Sequence, residues 1–115
     1  MVSSPKQPDR RRHIRYFVNG SLEFQVRGRV YTGIPKNLGM SGVLLQAVAV
    51  PAEGATGTMR LAIQGFDERI VATARITRTY ETAAAAIFLE RPAALLRCVE
   101  WLAQTERKKQ AATGS

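Results

Sequence analysis

From Tyr16 the chain alternates between apolar and polar positions with the period of a β-strand. Leu22, Phe24 and Val26 share one face, with Ser21, Glu23 and Gln25 between them. Gly28 marks a turn, after which Arg29-Val30-Tyr31-Thr32-Gly33-Ile34 predicts a returning strand. Pro35-Lys36-Asn37-Leu38-Gly39-Met40-Ser41-Gly42 breaks the pattern with turn-forming residues and reads as a loop. Val43-Leu44-Leu45 is a short apolar run that predicts a buried strand. After a loop over residues 51–57, Met59, Leu61 and Ile63 alternate with Thr58, Arg60 and Ala62. Beyond Gln64-Gly65-Phe66-Asp67, Ile70, Ala72, Ala74 and Ile76 alternate in the same way. The alanine-rich segment 83–89 is a poor strand former by composition, and its place between two turns makes it a sixth strand candidate.

The period then changes. Leu95, Val99 and Leu102, with Cys98 beside them, recur at helical spacing, opposite a polar stripe of Arg97, Glu100, Gln104 and Arg107. Pro92 suits the first turn of this helix, where a missing N–H costs nothing. Apolar anchors run out at Lys108, so the end of the chain is expected to fray. Six short strands and one closing helix predict a mainly β fold, an antiparallel barrel with a C-terminal α-helix. The expected organisation is a flexible lead over residues 1–9, one domain over 10–106 and a disordered tail over 107–115.

A chain of 115 residues, 45% hydrophobic, can bury one modest core. No segment approaches the roughly 20 apolar residues of a membrane span, and residues 1–6 lack the apolar centre of a signal peptide. With a single cysteine that cannot pair internally, these features set a cytoplasmic location as the expectation. The net charge of +8 favours anionic partners without choosing among nucleic acid, lipid and phosphorylated small molecules.

Candidate chemistry is sparse. His13 and Cys98 are the only members of their residue types and lie far apart. Cys98 sits on an apolar helix face, where packing outweighs nucleophilic work, and His13 lies among arginines that lower its basicity. There is no cluster of metal-ligating residues and no phosphate-binding loop of the Walker type. Neither catalysis, a metal nor a cofactor is expected. The informative cluster is Arg10-Arg11-Arg12-His13-Ile14-Arg15, with four arginines in six residues. A guanidinium forks onto phosphate, onto the O6 and N7 acceptors of guanine, or stacks on a purine. The second cluster is the turn, where Asn37 can pair with a base edge, Ser41 brings a hydroxyl, and Gly39 and Gly42 permit close approach and unusual dihedrals. Taken singly, these clusters read first as a solvated basic tail and an ordinary loop.

Together and in this order, Arg11-Arg12-His13-Ile14-Arg15 ahead of the first strand and Asn37-Leu38-Gly39-Met40-Ser41-Gly42 leading into Val43-Leu44-Leu45 resemble the RxxxR and D/NxSxxG motifs of the PilZ domain family. The resemblance covers residues 9–105. It implies a six-stranded antiparallel barrel that binds the bacterial second messenger cyclic di-GMP and signals to a protein partner, as a monomer or homodimer. By the same resemblance, Arg11 and Arg15 hold phosphates and the Hoogsteen edge of guanine, and Arg10 adds a phosphate contact or a stack. Asn37 faces a guanine and Gly42 closes the motif. Asparagine has one acceptor oxygen where an aspartate has two, so its grip on guanine is less complete. Gly39 stands where the family has serine, and the hydroxyl of Ser41 would have to act from a different point on the turn. The arginine segment is expected to order onto the barrel when a dianionic ligand binds.

Two alternatives stay open. One is a PilZ-like adaptor that binds only protein, favoured by Gly39. The other is a basic barrel that binds nucleic acid, favoured by the charge and opposed by the lack of an aromatic stacking platform.

Overall fold

The computed structural model describes residues 14–114, with side chains described over residues 14–109. Arg10 and Arg11, the expected lead over residues 1–9, and His13 therefore lie outside the described residues. Seven strands and a helix follow in order: β1 (Tyr16–Phe17), β2 (Gly20–Val26), β3 (Arg29–Leu38), β4 (Gly42–Gln46), β5 (Thr56–Ile63), β6 (Arg69–Thr79), β7 (Ala83–Phe88) and α1 (Ala93–Gly114).

The ladders β3-β2-β5-β6-β7-β4 are all antiparallel, and a β3–β4 pairing closes the ring into a six-stranded barrel. Strand β1 is an addition to the expected six. It pairs Tyr16 with Leu38 and Phe17 with Asn37, on the edge of β3 that β2 occupies further along. The chain steps out of the ladder at Val18-Asn19, so one alternating run becomes two strands. The turn at Arg27-Gly28 has positive φ at both residues, 51° and 81°. This is the geometry a two-residue hairpin needs to match the strand twist.

The loop expected from Pro35 to Gly42 is shorter than the sequence pattern implies, because β3 runs on through Leu38. Pro35 has no N–H to give a ladder. It is accommodated beside a register shift between Pro35 and Asn37, where β3 passes from β2 to β1 as its neighbour. The connection to β4 is then a tight hairpin through residues 39–41.

Inside the barrel, large and small side chains meet across strands. Phe24 pairs with Met59, Met59 with Ala72, and Ala74 with Phe88. A small barrel tapers, and the alanines of β6 and β7 leave room for the rings and long chains opposite. This explains a strand of low intrinsic propensity at Ala83–Phe88. No polar or charged side chain is buried among the described residues. The barrel interior thus offers nothing to recognise a polar ligand, and any such site belongs on its outer surface.

Helix α1 packs Leu95, Cys98 and Leu102 into the same core. Pro92 precedes the helix, and its carbonyl accepts from Leu95 and Leu96 at 3.0 and 3.2 Å. Trp101 meets Phe66 at 5.6 Å between ring centroids. Arg97 clamps Glu68 through both ends of its guanidinium, at 2.7 and 2.6 Å. Both contacts tie α1 to the β5–β6 loop. The expected tail from 107 is helical instead, since α1 continues to Gly114. Glu, Arg, Lys, Gln and Ala fill residues 106–112, and such residues propagate a helix without needing an apolar anchor.

Phe24 is fully buried, whereas Phe17 is 91% exposed. Phe24→Ala is expected to lower the unfolding free energy by about 3–5 kcal/mol in urea titrations. Phe17→Ala should stay within about 0.5 kcal/mol of the parent.

Candidate functional site

Strand alternation decides which residues of the β3–β4 hairpin look outward. Leu38 and Val43 are paired and fully buried, so they anchor the hairpin from inside. Their neighbours Asn37 and Leu44, also paired, face out. The same alternation carries the outward face to Gly39 and Gly42, where no side chain stands. The hairpin is closed by the Gly39 N–H donating to the Gly42 carbonyl at 3.0 Å. Neither glycine is among those with positive φ. The unusual dihedrals expected of them are not used, and close approach is. A Cβ on Gly39 would sit 2.7 Å from the Ile14 carbonyl oxygen and 3.2 Å from Arg15 Cγ. On Gly42 it would run into the Ala86 carbonyl oxygen and meet Arg15 Nη2 at 3.3 Å.

Arg15 therefore lies across a bare strip made by the two glycines. Its Nη1 donates to Asn37 Oδ1 at 3.5 Å, the long limit of a hydrogen bond. The guanidinium is brought to the turn and remains available for a stronger acceptor. The structure thus brings Arg15, Asn37, Gly39 and Gly42 together. Ser41 sits at the tip, half-buried, and its carbonyl accepts from the Phe88 N–H at 2.9 Å, which pins the turn to β7. The Ser41 hydroxyl has no hydrogen-bond partner among the described residues. Phe17, across the β1–β3 ladder from Asn37, shares its outward face.

Arg91 is a member of this neighbourhood that sequence reasoning missed. Its Nε donates to the Met40 carbonyl at 3.0 Å. Nothing local marks it, because the contact spans 51 residues and depends on β7 ending beside the turn. The missing signal for Ile14 is of the same kind: its contribution is a backbone oxygen, which any residue carries.

Among the described residues, no acid pairs with Arg15 or Arg91 at the site. The Arg97–Glu68 ion pair lies away from the turn. There the Arg97 guanidinium holds the Glu68 carboxyl below its ordinary range, and Glu68 in turn raises Arg97. Glu90, the neighbour of Arg91 in sequence, accepts instead from the Thr73 N–H and hydroxyl at 3.2 and 3.4 Å. Arg15 and Arg91 thus leave a cationic surface around a polar, side-chain-free strip. That surface fits a flat anion with hydrogen-bonding edges.

Cys98 behaves as the sequence suggests. It is fully buried, and burial, with the Glu68 charge adding to it, pushes its thiol up to about 11. Among the described residues, no group of His, Cys, Asp and Glu is arranged to hold a metal ion. No helix there is long and apolar enough to cross a membrane.

A closed antiparallel barrel with a hairpin-borne outer site and a capping C-terminal helix defines a class of small ligand-binding domains. The PilZ domain profile matches residues 9–101, and the chain belongs to the PilZ domain family, a family of cyclic di-GMP receptors. Solved structures agree on the fold. The PilZ domain of CeSA from a cellulose-synthesizing bacterium aligns with a TM-score of 0.61 at 20% identity, covering 76% of this chain and 96% of that one. The PilZ domain of YcgR from Escherichia coli, solved with c-di-GMP, gives 0.65 at 13% identity, covering 92% and 98%. The Bacillus subtilis inhibitor of motility MotI/DgrA gives 0.68 at 14% identity, covering 87% of this chain and 53% of that one. A comparison with curated proteins finds no match.

With its folded value near 11, Cys98 should resist an aromatic disulfide reagent at pH 8 in the native protein and react on unfolding. Because the folded value lies above the ordinary 9.0, the thiol has no effect on stability below pH 9 and lowers it as pH rises toward 11. Urea midpoints measured across that window should fall less for Cys98→Ala than for the parent.

Proposed function

We propose that this protein is a non-enzymatic receptor for cyclic di-GMP, working without a cofactor, and that the ligand binds on the outer face of the β3–β4 hairpin. The observation that carries the reading is Arg15 laid over the bare Gly39–Gly42 strip, with its guanidinium at Asn37 and no acidic partner among the described residues. A purine ring needs a surface without side chains to approach, a guanidinium beside it, and an amide at its edge. The exposed ring of Phe17 beside Asn37 adds apolar surface on the same face. In this reading Arg15 takes a phosphate or the Hoogsteen edge of guanine, and Asn37 pairs with the base. Arg10 and Arg11, outside the described residues, supply further phosphate contacts.

Ligand capture draws Arg10 and Arg11 down onto the barrel beside Arg15 and changes the surface offered to a protein partner. Ser41 and Arg91 support a route for that change. One ties the turn to β7, and the other ties it to the segment that enters α1.

Isothermal titration with cyclic di-GMP tests the reading. The parent should bind with measurable heat, and Arg15→Ala should bind about 10- to 100-fold more weakly, the loss expected for hydrogen bonds to a charged group. No heat from the parent would sink the proposal and favour an adaptor that binds only protein.

A further inference from the structure

The departure at Gly39 looks at first like a lost hydroxyl and weaker binding. The geometry points elsewhere: we infer that Gly39 is a positioning residue. Having no side chain there lets the main chain at Ile14 lie against the β3–β4 turn, so that Arg15 is seated over the site before any ligand arrives. A serine at this position is incompatible with that seating.

The crowding is specific. A Cβ on Gly39 would stand 2.7 Å from the Ile14 carbonyl oxygen and 3.2 Å from Arg15 Cγ, while the next nearest atom, at 3.5 Å, is again Ile14's. Every contact shorter than ordinary van der Waals distance therefore comes from residues 14 and 15. None comes from the barrel. The first of these atoms belongs to the backbone and cannot swing aside as the end of a long side chain does. Gly39 is also buried, and Arg15 is the side chain that crosses it to reach Asn37. A residue with a Cβ is thus accommodated by lifting Ile14 and Arg15, and the hairpin itself need not change. Its backbone is open to serine or alanine, because Gly39 is not one of the positive-φ glycines.

Seating Arg15 in advance removes an ordering cost from binding, since a side chain already placed need not be immobilised by the ligand. Restoring the family's serine should then do the opposite of what consensus suggests. The hydroxyl returns, and the arginine leaves.

The test uses the full chain as Gly39→Ser and Gly39→Ala, each first checked by thermal melting and far-UV circular dichroism to retain the barrel. The first readout needs no ligand: the rate of trypsin cleavage between Arg15 and Tyr16, followed by mass spectrometry. Both variants should be cut at least about fivefold faster than the parent there, as expected when a docked segment is released. Cleavage between Arg69 and Ile70, within the barrel, should be unchanged. Equal rates at Arg15 in the parent and both variants would overturn the inference, and so would loss of the barrel itself, since the clash would then not be relieved at residues 14 and 15. The second readout rests on the cyclic di-GMP reading. Both variants should bind the dinucleotide about 5- to 50-fold more weakly, and a Gly39→Ser protein that binds as tightly as the parent or tighter would overturn the inference. A parent that gives no heat would remove the ligand reading alone, because the cleavage rates decide the seating of Arg15 without it.

Discussion

The pairing of β3 with β4 is the contact on which the rest of the structure depends. Without it the sheet would end in two open edges, each a row of unpaired backbone groups. With it, the sheet closes around one apolar core, and the hairpin that closes it becomes the platform of the candidate site. Leu38 and Val43 face inward and are fully buried. Asn37 and Leu44, one step along each strand, must then face outward. The core fixes the register, and the register fixes which groups a ligand can reach.

The same closure explains why two glycines matter at this turn and why their role is steric. Gly42 lies where β4 runs against β7, close to the Ala86 carbonyl, and Gly39 lies where the chain ahead of β1 crosses the hairpin. Two neighbouring backbones press on the turn from different sides. The result is an outward strip with no side chains, covered by one arginine whose charge no acid among the described residues neutralises. A basic protein can hold its charge as a diffuse field. Here part of that charge is placed over groups that can read the edge of a base.

The helix is joined to this platform without belonging to it. Its apolar face completes the core through Leu95, Cys98 and Leu102, and the Arg97–Glu68 and Trp101–Phe66 contacts fix it to the β5–β6 loop. Near its start, Arg91 touches the turn through the Met40 carbonyl. The site and the helix entry thus lie at one end of the barrel, since β7 runs past Gly42 before leading into α1.

Much of this was legible in the order of residues. The alternation of Leu22, Phe24, Met59, Leu61, Ile70 and Ile76 determined strands with one buried face, because the period of a strand is local and burial selects it. The spacing of Leu95, Cys98 and Leu102 determined an amphipathic helix for the same reason. The motif residues Arg15, Asn37 and Gly42 could be named in advance, because side-chain chemistry is written at each position. Tertiary structure alone decided the rest. It extended β3 through Pro35, because the change of neighbour and the register shift beside that residue appear only when three strands meet. It brought Arg91 to Met40 and the Ile14 carbonyl to Gly39, contacts between segments whose sequences carry no mark of each other. A backbone oxygen has no letter in a sequence, and the sign of the change at Gly39 rests on where one such oxygen lies.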